Sequence, residues 1–299
     1  WKNVKKKLFN KPIKFTFYTD IEAPEYHQLF YEPNVDYNFY NGLILGAKLN
    51  NKPILKRNLE FNIAPAYAIK SSSINGNFSI KYNQFFEKTK IYKITYGISG
   101  NSLHYAPELS YESLIPYIAI NFKRKSLRET SSRSLSAKIV HINKEVAPQT
   151  QKTDQDNYNV FSVSYNYSKP DIIKELRSRF NTEFAKDFSK VSLDLRYRAL
   201  SSSDTQLDFR FFAGAFLSNK TKSDYFSFGL DRPNDYLFQL NYHGRSEDSG
   251  IFSQQYIITE GGFKSELPTR FANQFMSSFN TSIGLWRWVE SYNDVAFLK

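Results

Sequence analysis

The feature that most constrains this chain is a period of two. In residues 190–217, KVSLDLRYRALSSSDTQLDFRFFAGAFL, Val191, Leu193, Leu195, Tyr197 and Ala199 share one parity, and Ser192, Asp194, Arg196 and Arg198 share the other. After a Ser-rich break the pattern resumes, with Leu207, Phe209, Phe211, Ala213, Ala215 and Leu217 set against Asp208, Arg210 and Gly214. Such alternation builds β-strands with two chemically different faces. A soluble sandwich turns the apolar face inward to a core, whereas an outer-membrane barrel turns it outward to lipid and lines its lumen with the polar face.

The same pattern recurs along the chain. In 58–70, Leu59, Phe61, Ile63, Pro65, Tyr67 and Ile69 oppose Glu60, Asn62 and three alanines; in 157–168, Phe161, Val163, Tyr165 and Tyr167 oppose Ser162, Ser164, Asn166 and Ser168. Residues 40–50, 76–86, 90–98, 114–124 and 174–186 are similar, and 12–19, 134–143, 224–230, 236–243, 253–264, 272–288 and 292–298 are weaker runs. Several of these runs approach the ~9–11 residues that cross a bilayer at a tilt, against ~5–6 in an ordinary soluble strand. Connections at 87–89 and 200–204 read as short, and 20–36, 99–113, 144–156 and 244–252 as long. The expected fold is all-β: a transmembrane antiparallel up-and-down β-barrel of roughly 14–16 strands over residues 12–299, after a basic linker or juxtamembrane segment at 1–11. The chain stops on a strand-like run, VAFLK, and an open edge in hydrocarbon leaves amides unpaired. Closing strands beyond residue 299 are therefore expected.

Composition agrees with that frame. Aromatic residues make up 17% of the 299, with 27 Phe and 21 Tyr against one Met, which suits rings held at a lipid boundary. No apolar run nears the ~20 residues of a transmembrane helix, so a membrane crossing here requires strands. The absence of cysteine excludes disulfides and thiolate metal sites. A net charge of +11 is spread along the chain with no nucleic-acid motif, and nucleic acid is not an expected partner. Outer-membrane lipid and lipopolysaccharide are expected partners, together with other outer-membrane proteins or lipoproteins in a complex.

No catalytic motif stands out. His141 and Glu145 in HINKE supply one imidazole where a zinc helix needs two, GISGN at 97–101 fails the nucleophile-elbow spacing, and Ser102 and His104 are merely near in sequence. The polar parity offers candidate lumen ion pairs. With a hairpin loop at 200–204, Asp194 lies opposite Arg210 and Arg196 opposite Asp208, while Glu175, Arg177 and Arg179 add a second charged row. Such pairs either tune what passes or fix strand register.

The last stretch, residues 257–299, carries Gly261-Gly262-Phe263-Lys264, Leu267-Pro268-Thr269, Ala272-Asn273-Gln274 and Trp286-Arg287-Trp288. With YEPNVDYNFYNGLILGAKL at 31–49, it resembles the barrel region of Gram-negative M1-family (gluzincin) zinc metallopeptidases, in which an aminopeptidase-like domain precedes an outer-membrane barrel. The resemblance implies a barrel that anchors and orients an upstream peptidase domain. Zinc is then expected only in that domain, with no catalytic, cofactor or metal residue in this chain. A non-enzymatic barrel subunit of an assembly, secretion or uptake complex is the alternative reading, and a passive or selective pore is the third.

Overall fold

A computed structural model of the chain describes residues 11–20, 23, 25–52, 58–147, 155–201, 205–239, 258–286 and 289–299. The architecture is all-β. A short strand β1 (Ile13–Phe17) is followed by β2 (His27–Asn38), β3 (Gly42–Asn50), β4 (Leu59–Ala68), β5 (Ser73–Phe85), β6 (Ile91–Ala106) and β7 (Leu109–Phe122). Then come β8 (Ser132–Lys144), β9 (Asn157–Lys169), β10 (Lys174–Phe184), β11 (Phe188–Leu200) and β12 (Gln206–Asn219). A two-residue pair, β13 (Phe228–Gly229) and β14 (Phe271–Ala272), precedes β15 (Phe275–Trp286) and β16 (Val289–Leu298).

Fourteen of these strands form one sheet in chain order, β1 to β12 and then β15 and β16. From β2 onward each strand runs antiparallel to the next, as in a meander. The exception to the expected up-and-down order is β1, which lies parallel to β2 with Ile13 opposite His27. Among the described residues β16 pairs with β15 and β1 with β2, and no ladder joins these two edges. The strands from β2 on, leaving out the short β13–β14 pair, run from 9 to 16 residues, long enough to cross a bilayer.

The parity seen in sequence becomes two faces with inverted exposure. Val35, Leu45, Tyr67, Ile80, Tyr96, Ile139, Phe161, Phe180, Phe211, Phe279 and Val295 stand on the exposed face. The opposite face buries Asn50, Asn75, Asn83, Thr95, Ser162, Glu183, Lys190 and Ser278 in the concavity of the sheet. A soluble sandwich would bury the first set and expose the second. A continuous apolar face far larger than the few hundred Å² that water-soluble surfaces carry belongs against lipid. Phe180, mid-strand in β10 and 46% exposed, tests this directly. Phe180→Arg is expected to destabilise the bilayer-inserted sheet by about 2–4 kcal/mol in urea unfolding from vesicles. A neutral or stabilising result would put that face in water.

Three regions depart from the sequence expectation. Residues 20–36 are not one long connection, because β2 begins at His27. Pro33 is tolerated within β2 because the β1 pairing ends at Phe17–Tyr31, so no β1 partner meets its missing N–H. Pro65 and Pro116 likewise sit where the ladder to one neighbouring strand is interrupted. Residues 99–113 are also strand, with β6 and β7 joined only at 107–108 and Glu108 at φ +57°. Glycines within β6 serve packing: the Tyr117 ring covers Gly97 and the Phe78 ring covers Gly100, where any Cβ would collide. Finally, 224–230, 236–239 and 258–264 are not strands of the sheet; they fold onto its concave face, as described next. The polar run 244–252 and the linker residues 1–10 lie outside the described residues.

Candidate functional site

The concave face has two zones. Toward the end where β12 leaves the sheet, its parity turns apolar: Val140 and Ile142 on β8, Tyr158 and Val160 on β9, Phe188 on β11, Phe212 and Phe216 on β12, and Met276 on β15. These residues are covered by the described parts of the connection between β12 and β15, residues 220–239 and 258–274. A 3-10 turn, Asp224–Phe226, starts that segment, with the Ser223 hydroxyl accepting from the Tyr225 N–H. Phe226 and Tyr236 then pack on Val140, Ile142, Tyr158, Val160 and Phe188, while Phe228, Leu230 and Ala272 pack on Phe212 and Met276. Phe238 reaches as far as β7, stacking on Tyr111 with ring centroids 3.9 Å apart.

The segment is knotted by its own backbone. β13 and β14 pair Phe228 with Ala272, the Gly261 N–H donates to the Gly229 carbonyl at 2.9 Å, and the Leu267 N–H donates to Asp231 at 2.7 Å. Thr259 donates its hydroxyl to the Leu230 carbonyl and accepts from the Gly262 N–H. Two glycines make this seat possible: Gly261 lies against Leu230, and Gly262, at φ +76°, lies against Arg210 and Asn280.

A buried polar cluster clamps the segment to the wall. Lys190 donates to the Phe226 carbonyl at 2.9 Å, lies 3.9 Å from the Glu183 carboxylate, and sits over the rings of Tyr236 at 4.6 Å and Phe228 at 4.8 Å. The Tyr236 hydroxyl donates to Glu183, and Asn181 donates to the other oxygen of the same carboxylate at 2.8 Å. From the segment, Glu260 accepts the Gly229 N–H at 3.0 Å. A carbonyl, a nearby carboxylate and ring faces offset part of the desolvation cost of this buried ammonium.

Burial pushes the Glu260 carboxyl above the ordinary glutamate value of 4.5, against the pull of the Lys190 ammonium and the Gly229 N–H. A carboxyl whose folded-state value is raised stabilises the fold at low pH and loses that contribution as pH rises through the raised value. Glu260→Gln is therefore expected to flatten the fall in melting temperature on going upward from pH 4.5. An unchanged pH profile would show that this carboxyl does not titrate between the folded and unfolded chain.

Toward the other end the concave face is charged. The register sets Arg177 on β10, Arg196 on β11 and Arg210 on β12 side by side, followed by Asn280 and Asp294. Three guanidinium groups in one row repel, and two carboxylates one row away relieve them. Asp194 accepts from Arg196 at 3.0 Å and from Arg210 at 2.8 Å, and Glu175 takes Arg177 and, at 3.2 Å, Arg198.

The expected pairing needs correcting here. The hairpin loop is 201–205, closed by the Ser201 N–H on the Thr205 carbonyl, rather than 200–204. Asp194 therefore lies opposite Phe212, Arg196 opposite Arg210, and Asp208 opposite Arg198. Arg210 meets Asp194 along the diagonal, which a long side chain spans; Asp208 instead accepts from Gln206 at 2.6 Å. A cavity of about 510 Å³ remains between this row, Lys264 and the Glu290–Asp294 end of β16.

Of the residues quoted for the resemblance, Gly261, Gly262, Phe263 and Leu267 lie at the seat of the inserted segment, while residues 31–49 belong to β2 and β3. Besides Gly261 and Gly262, Phe263 and Leu267 pack on the Phe228 cluster, and Lys264 lies over the Tyr292 ring. Pro268 is exposed, and the Asn273 carbonyl accepts from Asn219 at 2.7 Å. Trp286 ends β15, and Trp288 lies outside the described residues.

The other candidates are not brought together. His141 is engaged with Asn159 at 2.7 Å, Glu145 accepts the Ser110 N–H, and His104, in register with Ser110 rather than Ser102, has its ring held by Asn41 at 2.8 Å. Among the described residues no three His, Cys, Asp or Glu side chains group as metal ligands. Sequence reasoning missed the inserted segment and its clamp. The available signal was the switch of the polar parity to Val140, Ile142, Val160, Phe212, Phe216 and Met276 at one end of the strands.

No family model matches the chain, and no curated protein matches it. Among solved structures it is similar to CdiB from Acinetobacter baumannii, with 13% identity and a TM-score of 0.38 over 92% of this chain and 52% of that one. The chain thus spans about half the length of that structure.

Proposed function

We propose that this chain is an outer-membrane β-barrel of a Gram-negative bacterium that acts as a non-enzymatic anchor and docking scaffold for other polypeptides. The observation that carries the reading is the seat of residues 220–239 and 258–274 on the concave face. Phe226, Phe228 and Leu230 fill what an open channel would leave to water, and Lys190 clamps them there. A lumen filled in this way argues against the passive pore.

The finer form of the proposal is that the anchored polypeptide is an upstream M1-type peptidase domain, and it rests on the resemblance of residues 31–49 and 257–299 alone. Any zinc would then belong to that domain. The alternative partner set is an assembly, secretion or uptake complex, with lipopolysaccharide and neighbouring outer-membrane proteins or lipoproteins around the barrel.

The test is the intact mass of the protein purified from outer membranes, with bound zinc and copurifying proteins determined on the same sample. A mass far above 34.9 kDa with about one zinc per chain supports the peptidase anchor. A mass near that value with stoichiometric partner chains supports the complex subunit. Absence from the outer-membrane fraction overturns both.

A further inference from the structure

The two rims of the sheet differ sharply in charge. At one rim, three adjacent connections join β5 to β6, β7 to β8 and β9 to β10. Their sequences, FEKTK (86–90), KRKSLRETS (123–131) and PDII (170–173), hold six Lys and Arg against three Asp and Glu, and Lys169 and Lys174 flank the last of them. The hairpin connections of the opposite rim, 39–41, 69–72, 107–108, 145–156 and 185–187, hold three against five. The asymmetry belongs to a contiguous surface: the Lys123 N–H donates to the Lys90 carbonyl, and β8 and β9 bring Ser132 opposite Ser168.

Two of the three acids of this rim are turned to local work. Glu129 accepts from the Lys125 N–H and the Ser131 hydroxyl, and Asp171 accepts from the Ile172 N–H, while Arg124, Lys125, Arg128 and Lys174 are exposed. A second observation points the same way. Leu127 is 103% exposed between Lys125 and Arg128, and Ile172 is 82% exposed between Lys169 and Lys174. Apolar side chains fully presented within cationic loops, at the end of an apolar belt, match the boundary between acyl chains and phosphates. Loops this short remain at headgroup height, since headgroups add only ~5–8 Å to each side of the hydrocarbon.

We propose that this rim is a docking surface for phosphate-bearing lipid headgroups, with Arg124, Lys125, Arg128 and Lys174 meeting the phosphates and Leu127 and Ile172 entering the acyl boundary. The inference rests on the reading of the sheet as membrane-spanning. An acidic protein would satisfy the cations but would leave the apolar tips without a partner.

The test uses the full chain in dodecyl maltoside micelles, titrated with phosphatidylglycerol, with lipid A and with phosphatidylcholine, counting bound lipids by native mass spectrometry. Phosphatidylglycerol or lipid A is expected to bind at least about tenfold more tightly than phosphatidylcholine, with strong salt dependence. Inorganic phosphate at the same concentration is expected not to compete. Combining Arg124→Gln, Lys125→Gln, Arg128→Gln and Lys174→Gln should remove that preference, whereas Lys186→Gln with Lys222→Gln should leave it intact. Equal lipid binding by the fourfold variant, or an equal loss in the opposite-rim control, overturns the proposal, as does displacement of the bound lipid by inorganic phosphate. Insertion into phosphatidylcholine vesicles, read as heat-modifiable gel mobility, separates the two readings. A chain that inserts but shows no lipid preference loses only the docking surface, and one that inserts into no vesicle loses the membrane reading as well.

Discussion

Planar bilayers holding the intact chain are expected to pass no steady current, and replacing residues 221–273 with a short Asn-Gly turn is expected to produce a lasting conductance. The reason lies in the two zones of the concave face. The charged zone around Arg177, Arg196 and Arg210 is hydrated, and it adjoins a cavity of about 510 Å³. The apolar zone is closed by Phe226, Phe228, Leu230 and Tyr236. Removing the segment leaves Val140, Val160, Phe212 and Met276 facing lumen water, each forfeiting roughly 1.5–3 kcal/mol of burial. The variant should therefore conduct and also melt earlier than the parent. Steady current through the intact chain would show that the segment does not block the lumen, and the scaffold reading would give way to a pore.

The second large effect is at the clamp. Lys190→Met keeps the aliphatic stem among Phe228, Tyr236 and Phe216 but deletes the ammonium that answers Glu183 and Glu260. Breaking a buried ion pair by removing one partner destabilises by about 3–5 kcal/mol, because the surviving charge is stranded. Lys190→Met is expected to lose about that much in urea unfolding from vesicles. Adding Glu260→Gln should restore a substantial part, since one of the two stranded carboxyls is then neutral. Phe228→Ala, at a side chain 2% exposed, is expected to lose about 3–5 kcal/mol through the cavity alone, with no rescue by Glu260→Gln. If the Lys190→Met loss is below 1 kcal/mol, or if the two substitutions add without recovery, the cluster is solvated and does not hold the segment.

Much of the wall is legible from parity alone. The runs at 58–70, 157–168, 174–186 and 190–217 coincide with β4, β9, β10, β11 and β12 to within a few residues, because one face meets lipid and the other water along the whole strand. Legibility fails where a second demand acts on the same residues. Pro33 in β2 and Gly97 and Gly100 in β6 look like breakers, but a missing strand partner and two covering rings make room for them. Residues 224–230 alternate like a strand, since Phe226, Phe228 and Leu230 point to one side; that side is the interior of the sheet, so the same period describes a lumen segment.

The alternation of this chain by itself determines β-strands with one apolar and one polar face, because a period of two is that of extended backbone. Only the tertiary structure decided the register of β11 and β12, which a five-residue loop closed by Ser201 and Thr205 sets. It likewise decided that residues 224–239 and 258–264 turn inward, because burying Phe226, Phe228 and Leu230 requires apolar partners from β8, β9, β11, β12 and β15. Those partners are gathered on one surface only when the sheet has formed.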